Sequence, residues 1–373
     1  MTAGWQAKRL IDVATLQRGF DLPTQDRVSG GVPLVTSSGI TDTHNKIAVR
    51  GPGVATGRSG SIGNVFFIED DFWPLNTVLY VKDFHGNDPR FVFHLLKNFD
   101  LKRFASGVGV PTLNRNFVHD ELVSVPSLLE QHRIVAILDE AFDGIATAKA
   151  NAEKNLQNAR ALFESHLQSV FTERGDGWGE ATIGEVASVF DGPHATPKTV
   201  DVGPVFLGIS ALHDGRINLG ETRHVTPEDF RHWTRRVKPQ ADDVVFSYET
   251  RLGQAAIIPV GLECCLGRRM GLVRLNREKV APLFFVYQYI SPPFRSFLES
   301  KTVRGATVDR IALKEFPSFP ISLPKLDEQK RLASEFETLR GETQRLESLY
   351  QQKLTALDDL KKSILHQAFS GAL

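Results

Sequence analysis

The sequence has almost no cysteine. Its 373 residues include two, Cys264 and Cys265, and these are adjacent. Neighbouring residues seldom close a disulfide, and two thiols do not complete a zinc site. A reducing compartment is the simple expectation, with the cytoplasm as the expected location. Long apolar runs are missing too. No stretch of 18 apolar residues exists, so no membrane helix is expected, and Met1–Leu10 has no apolar core of a signal peptide. There is no excess of charge of one sign: 44 Lys plus Arg balance 44 Asp plus Glu. Any contact with nucleic acid must therefore rest on local clusters and not on a basic domain.

Catalytic signatures are also lacking. Gly53–Ser59 has the look of a phosphate-binding loop but is one residue short and has no lysine. Gly107-Val-Gly109 lacks the rest of a dinucleotide fingerprint. Ser291-Pro-Pro-Phe294 has the shape of an amino-methyltransferase motif. No upstream glycine-rich loop accompanies it, and Pro-Pro after a helical run simply stops the helix. Glu299-Ser-Lys301 has no convincing acidic partner upstream for a nuclease. The 11 histidines show no metal-like pairing, and no nucleophile elbow is found. No catalytic residue, metal ligand or cofactor is expected in this chain.

What is present is a repeat. Residues 126–171 align with 324–369 without a gap, at a constant offset of 198 and with ten identities in 46 positions. Pro126-Ser-Leu-Leu-Glu-Gln-His-Arg133 stands over Pro324-Lys-Leu-Asp-Glu-Gln-Lys-Arg331. At the far end Ser165, Leu167 and Phe171 stand over Ser363, Leu365 and Phe369. The preceding segments match more loosely. Asp12–Ala14 lies over Glu185–Ala187, Val54–Gly63 over Val244–Gly253, and Thr112–Arg115 over Thr307–Arg310, with an offset drifting from 173 to 198. A period this long is a duplicated module, not a solenoid unit.

Both repeated segments are helical. From Leu128 to Thr172 there is no proline and one glycine, and apolar or Ala residues recur in a three-four stride. That is an amphipathic helix with a coiled-coil-like seam. The second copy runs from about Asp327 to Ser370, with Thr343 and Lys353 interrupting the seam. Such a stripe needs a partner, and the other copy is the obvious one. The expected fold is α+β: two mixed α/β domains joined by two long antiparallel helices that form a coiled coil, a pseudo-twofold internal repeat. The expected segments are 1–125, 126–175, 176–323 and 324–373. Glu130 and Glu328 suit first helical turns. Helix formation does not demand Gln131, Arg133, Gln329 and Arg331 in both copies. Together with the two glutamates they are candidates for a partner-docking surface.

The globular parts mix short β-rich runs (Val32–Val35, Val65–Ile68, Val244–Ser247) with short helical ones (Pro89–Asn98, Pro282–Ser291). Their loops hold side chains able to read bases or grip phosphates. Candidates in the first module are Thr36, Ser37, Ser38, Arg58, Ser59, Ser61, Asn114 and Arg115. In the second they are Ser210, Tyr248, Thr250, Arg251, Arg268, Arg269 and Arg304, the last beside Gly305. Each loop alone is weak; recurrence at matching places in both modules gives them weight.

The layout and the repeated Pro-x-Leu-x-Glu-Gln-x-Arg motif resemble the specificity subunits of type I restriction–modification enzymes, over essentially the whole chain. Asp327 fits the acidic residue usual at its position, whereas Leu129 departs from it. The resemblance implies a non-catalytic subunit with two target recognition domains, each reading half of a bipartite site in double-stranded DNA. It also implies a helical spacer and docking of two methylation subunits, with restriction subunits joining the complex. S-adenosylmethionine, ATP and Mg would then belong to those partners. Two other readings stay open: a specificity subunit for a fused restriction–methylation enzyme, and a two-domain scaffold that binds protein instead of DNA. A stand-alone methyltransferase built on Ser291–Phe294 is a third and weaker one.

Overall fold

The structure is a computed structural model that describes residues 4–107, 111–193, 195–304 and 308–373. Gly109, Gly305 and Thr307, each part of a motif above, lie outside the described residues. In chain order the α-helices of the described residues are α1 (Pro89–Asn98), α2 (Arg115–His119), α3 (Leu128–Glu173), α4 (Ile183–Val186), α5 (Pro227–Trp233), α6 (Pro282–Ile290), α7 (Pro292–Ser300) and α8 (Leu326–Ser370). None of them is long and apolar enough to cross a membrane.

The chain divides into two compact units. One comprises Met1–Glu153 with Gln352–Leu373, the other Lys154–Gln351. Each unit therefore takes one part of α3 and one part of α8. The helices span the lengths expected from their apolar stride. Arg174 (φ 44°) and Gly177 (φ 85°) follow α3, and Gly371 (φ 75°) follows α8.

In the first unit a four-stranded antiparallel sheet is ordered Thr15–Arg18, Val78–Asp83, Gly53–Gly57, Val65–Ile68. A three-stranded sheet centres on Val32–Thr36, which pairs antiparallel with Gly39–His44 and parallel with Trp73–Pro74. Gln6–Arg9 pairs with Leu122–Val125, and Ala105–Ser106 with Thr112–Leu113. The core joins Leu16, Val54 and Leu79 of the large sheet to Phe91 and Leu95 of α1, and to Ile134 and Leu138 of α3. Within this unit Lys149 of α3 pairs with Asp358 of α8 at 2.8 Å, and Lys361 stands over the Phe142 ring. Residue numbers fall along α8 as they rise along α3, so the helices run antiparallel.

The second unit repeats this topology. Its four-stranded sheet is ordered Ala187–Asp191, Met270–Leu275, Val244–Ser247, Ala255–Ile257. Val200–Leu207 pairs antiparallel with Arg223–His224 and parallel with Cys264–Leu266. Gly179–Thr182 pairs with Pro320–Leu323, and Thr302–Val303 with Arg310–Ile311. Phe246, Phe284, Tyr287 and Phe336 fill the core together with Leu167 and Phe171 of α3. Arg160 pairs with Glu347 and His166 with Glu335, again antiparallel. Each sheet of the first unit thus has its equivalent in the second.

The equivalence corrects one alignment. Leu113 donates its amide to the Arg58 carbonyl, and Ile311 donates to the Tyr248 carbonyl. Thr112 therefore corresponds to Arg310, three residues further on than similarity of Thr-x-x-Arg suggests. A short matched string carried less information than the strand register.

Candidate nucleic-acid interface

The same loop is built twice. In the first module Gly57 ends its strand and donates to the Asn64 carbonyl at 3.0 Å. Arg58 and Ser59 both donate to the Thr77 carbonyl, and Ser59 bridges to Thr112. Gly60 and Gly63 take φ of +84° and +85°. A Cβ on Gly57 would sit 2.0 Å from the Ser61 carbonyl oxygen, so only glycine fits. In the second module Ser247 donates to Gln254, Tyr248 to Arg269, and Glu249 bridges to Arg310. Gly253 has φ +79°, and Thr250, in the place of Gly60, has φ +67°. A threonine with left-handed backbone is a true outlier, and Arg269 (φ +70°) beside it is another. Strain of this kind persists where surrounding contacts impose it and gathers at functional loops.

The candidates converge in each module but differ in availability. Ser37 is 9% exposed and packs against Gly57 and Gly60. Thr36 donates its hydroxyl to the Gly39 carbonyl, which leaves Ser38 at the exposed tip. Arg58 is half-buried and donates to the Asn76 carbonyl at 3.2 Å. Ser59 is half-buried and Ser61 exposed. Asn114 caps α2 by accepting from the Asn116 amide, and Arg115 is exposed in the first turn of that helix.

In the second module Arg251 donates to the Ile209 and Ser210 carbonyls at 3.0 and 2.8 Å. The Ser210 side chain is exposed. Arg269 pairs with Glu249 and donates to the Thr250 hydroxyl. Arg268 and Arg304 are exposed. Tyr248 does not serve as a reader. It is 6% exposed, and its hydroxyl donates to Asp191 at 3.0 Å. Burial, and then the Asp191 charge, push its ionisation well above the usual tyrosine range. The counterpart of Tyr248 is Arg58, so Arg58 and Arg251 are not equivalents. Ser37 and Tyr248 failed as surface candidates because a sequence does not show which loop side chains turn inward.

The repeated helix motif is corrected in part. Gln131 and Gln329 are 2% and 1% exposed and cannot face a partner. The Gln131 carbonyl oxygen accepts the Asp88 amide at 2.9 Å, and its amide group donates to Asn87 and to the Pro126 carbonyl. Gln329 accepts the Ala281 amide at 2.9 Å and donates to the Lys279 and Pro324 carbonyls. Each glutamine ties the start of a long helix to the start of the short helix beside it (α1 or α6), satisfying an amide that helix geometry leaves without a partner. The signal was available: a glutamine five residues after a proline, in both copies. Glu130 and Arg133, like Glu328 and Arg331, remain on the surface in bidentate pairs of 2.7–2.9 Å. The paired arginine holds each carboxyl below its ordinary range.

Ser291 is fully buried. Its hydroxyl donates to the Gln288 carbonyl and accepts from Phe294, so it caps α7. The tetrapeptide that resembles a methyltransferase motif is a junction between two helices.

The two-module fold agrees with one family. The model of the type I restriction modification DNA specificity domain matches residues 2–157 and again 176–356. The chain belongs to this family. The EcoBI specificity subunit of Escherichia coli is 21% identical over 315 residues, which are 76% of this chain and 65% of that relative. The MjaVIII specificity subunit of Methanocaldococcus jannaschii is 23% identical over 306 residues, 77% and 70% respectively. The match thus spans somewhat under two thirds of the first relative's length. Among solved structures, a chain from a study of complex assembly and conformational transition in a type I restriction–modification system has a TM-score of 0.78 at 20% identity, covering 100% of this chain and 99% of that one. The HsdS subunit of Thermoanaerobacter tengcongensis has a TM-score of 0.66 at 20% identity, covering 100% and 98%.

Proposed function

We propose that this specificity chain recognises a bipartite sequence in double-stranded DNA, one half per module, and holds two methylation subunits that act on it. The observation that carries the reading is the loop built twice on the same strand of the same sheet, at Gly57–Gly63 and Ser247–Gly253. Two weak half-site contacts on one chain combine into a tight event through effective concentration. The chemistry lies outside this chain: S-adenosylmethionine, ATP and Mg belong to partner subunits. The surface pairs Glu130–Arg133 and Glu328–Arg331 are the docking candidates that remain after the glutamines are removed.

Single-molecule methylation sequencing of cells carrying the chain with its methylation subunit tests the reading. The wild type should yield one bipartite motif. R58A and R251A should each degrade one half of it and leave the other intact, with R251A also loosening the 209–210 turn that it holds. Equal effects on both halves, or none, would overturn the assignment. Inserting seven residues after Glu153 and seven after Gln351 should lengthen the preferred spacer and leave both halves unaltered; an unchanged spacer removes the helices from any measuring role.

A further inference from the structure

The second module carries an insert that the first lacks. In the first, Gly39–His44 is followed directly by a short link to Gly53–Gly57. In the second, the link from Arg223–His224 to Val244–Ser247 contains α5. The end of α5 walls a cleft of about 420 Å³ whose lining includes His232, Trp233, Arg235, Arg236 and Asp191. A second cleft of about 330 Å³ is lined by Arg223, Arg268, Arg269, Ser210 and Glu221, the last paired with His213. The two share one wall: Ala195 lines the first and Thr196 the second. Asp191 also accepts the Tyr248 hydroxyl, so the α5 cleft adjoins the reading loop.

Several arginines of this module are neutralised, Arg216 by Glu337, Arg274 by Asp243, Arg277 by Asp242 and Arg295 by Glu164. Arg223, Arg235, Arg236 and Arg268 are exposed and have no carboxylate within ion-pair distance among the described residues. Trp233 lines the first cleft with its ring, while its indole N–H is turned inward and buried. Its ring is held edge-on by His232 at 5.3 Å. Exposed guanidinium groups without a carboxylate partner suit an anion.

We infer that the α5 insert, through Arg235 and Arg236, grips backbone phosphates of duplex DNA flanking the half-site read by the second module. The two halves of the target are therefore held unequally. The inference rests on the DNA-reading assignment and adds to it a surface of fixed chemistry: anionic oxygens of a sugar–phosphate chain, without base identity. Phosphate contacts position the protein and carry no sequence.

The test measures binding of the full chain, with its methylation subunit added, to duplexes bearing its target, as a function of salt. Each lost phosphate contact lowers the salt slope of log Kd by about 0.9, so R235A/R236A should lower it by roughly 1.8 with the recognised sequence unchanged. R216A/R277A changes charge equally within the module but away from the clefts, and should leave the slope alone. An unaltered slope in R235A/R236A, or an equal drop in R216A/R277A, overturns the inference while DNA reading stands. Loss of sequence preference in one half overturns the phosphate assignment in favour of base contact. Failure of the wild type to bind any duplex sinks DNA reading and the inference with it.

Discussion

The two modules share four sheets, to which the second adds the hairpin Leu212–His213 with Arg216–Ile217, yet they close the same places with different chemistry. Asp243 of the second module stands where the first has Gly53. Asp243 is 3% exposed and is held by Arg274 at 2.9 and 2.7 Å and by the Gln240 amide. At Gly53 the Phe72 ring fills the space instead, and a Cβ there would lie 2.4 Å from it. An ion pair and an aromatic ring thus solve one packing problem. The comparison teaches that the repeat preserves backbone topology and leaves side chains free to diverge.

The sharpest way to break this comparison is at that position. R274A strands the buried Asp243 carboxylate. Because Arg274 is itself about a third exposed, the loss should fall at the low end for a broken buried pair, about 3 kcal/mol, with unfolding of the second unit advanced and the first unchanged. G53A should cost about 1–3 kcal/mol by overpacking and act on the first unit alone. Hydrogen exchange resolved by segment reads both; a variant that destabilised the two units together would show that they do not fold as separate bodies.

The glutamine tie sharpens the comparison from the side of equivalence. Q131L and Q329L each leave a backbone amide of the neighbouring short helix unsatisfied, at Asp88 and at Ala281. Each should cost about 1–3 kcal/mol in denaturant unfolding, and by similar amounts. A large effect in one copy and none in the other would mean that the shared motif has different duties.

The smallest expected difference is in acid response. His94 and His119 are buried in the first module, and burial lowers the pKa of both, only partly offset at His94 by Asp139. His119 accepts the Leu16 amide at Nε2, which requires that nitrogen to be unprotonated. Both imidazoles are neutral in the fold and gain a proton on unfolding below their ordinary value near 6.5. The stability they contribute is present above that pH and is lost as the pH falls through it toward the depressed folded values. Among the described residues the second module has no buried histidine. Amides of the first unit should therefore lose protection between about pH 7 and pH 5.5 while those of the second keep theirs; a parallel loss would deny the difference.

Much of this was legible before any coordinates. The long helices were read from stride and from the absence of proline, and they begin and end within a residue or two of the expected positions. Strands such as Val65–Ile68 and Val244–Ser247 lie where β-branched and aromatic residues clustered. The candidate interface was legible only as loops. Ser37 and Tyr248 turn inward, Asn114 caps a helix, and Arg235 and Arg236 were missed because they sit in an insert without a counterpart in the first module.

The sequence by itself determined the duplication, the two long amphipathic helices and the family, because periodicity and repeated motifs are properties of neighbours along a chain. The tertiary structure alone decided which glutamines are buried ties, which tyrosine is a core hydrogen-bond donor, and which arginines lack a carboxylate. Those depend on partners some 40 to 60 residues away in the chain, such as Gln131 with Asp88 or Tyr248 with Asp191. Hydrogen bonding and desolvation act through space, so only the folded chain fixes them.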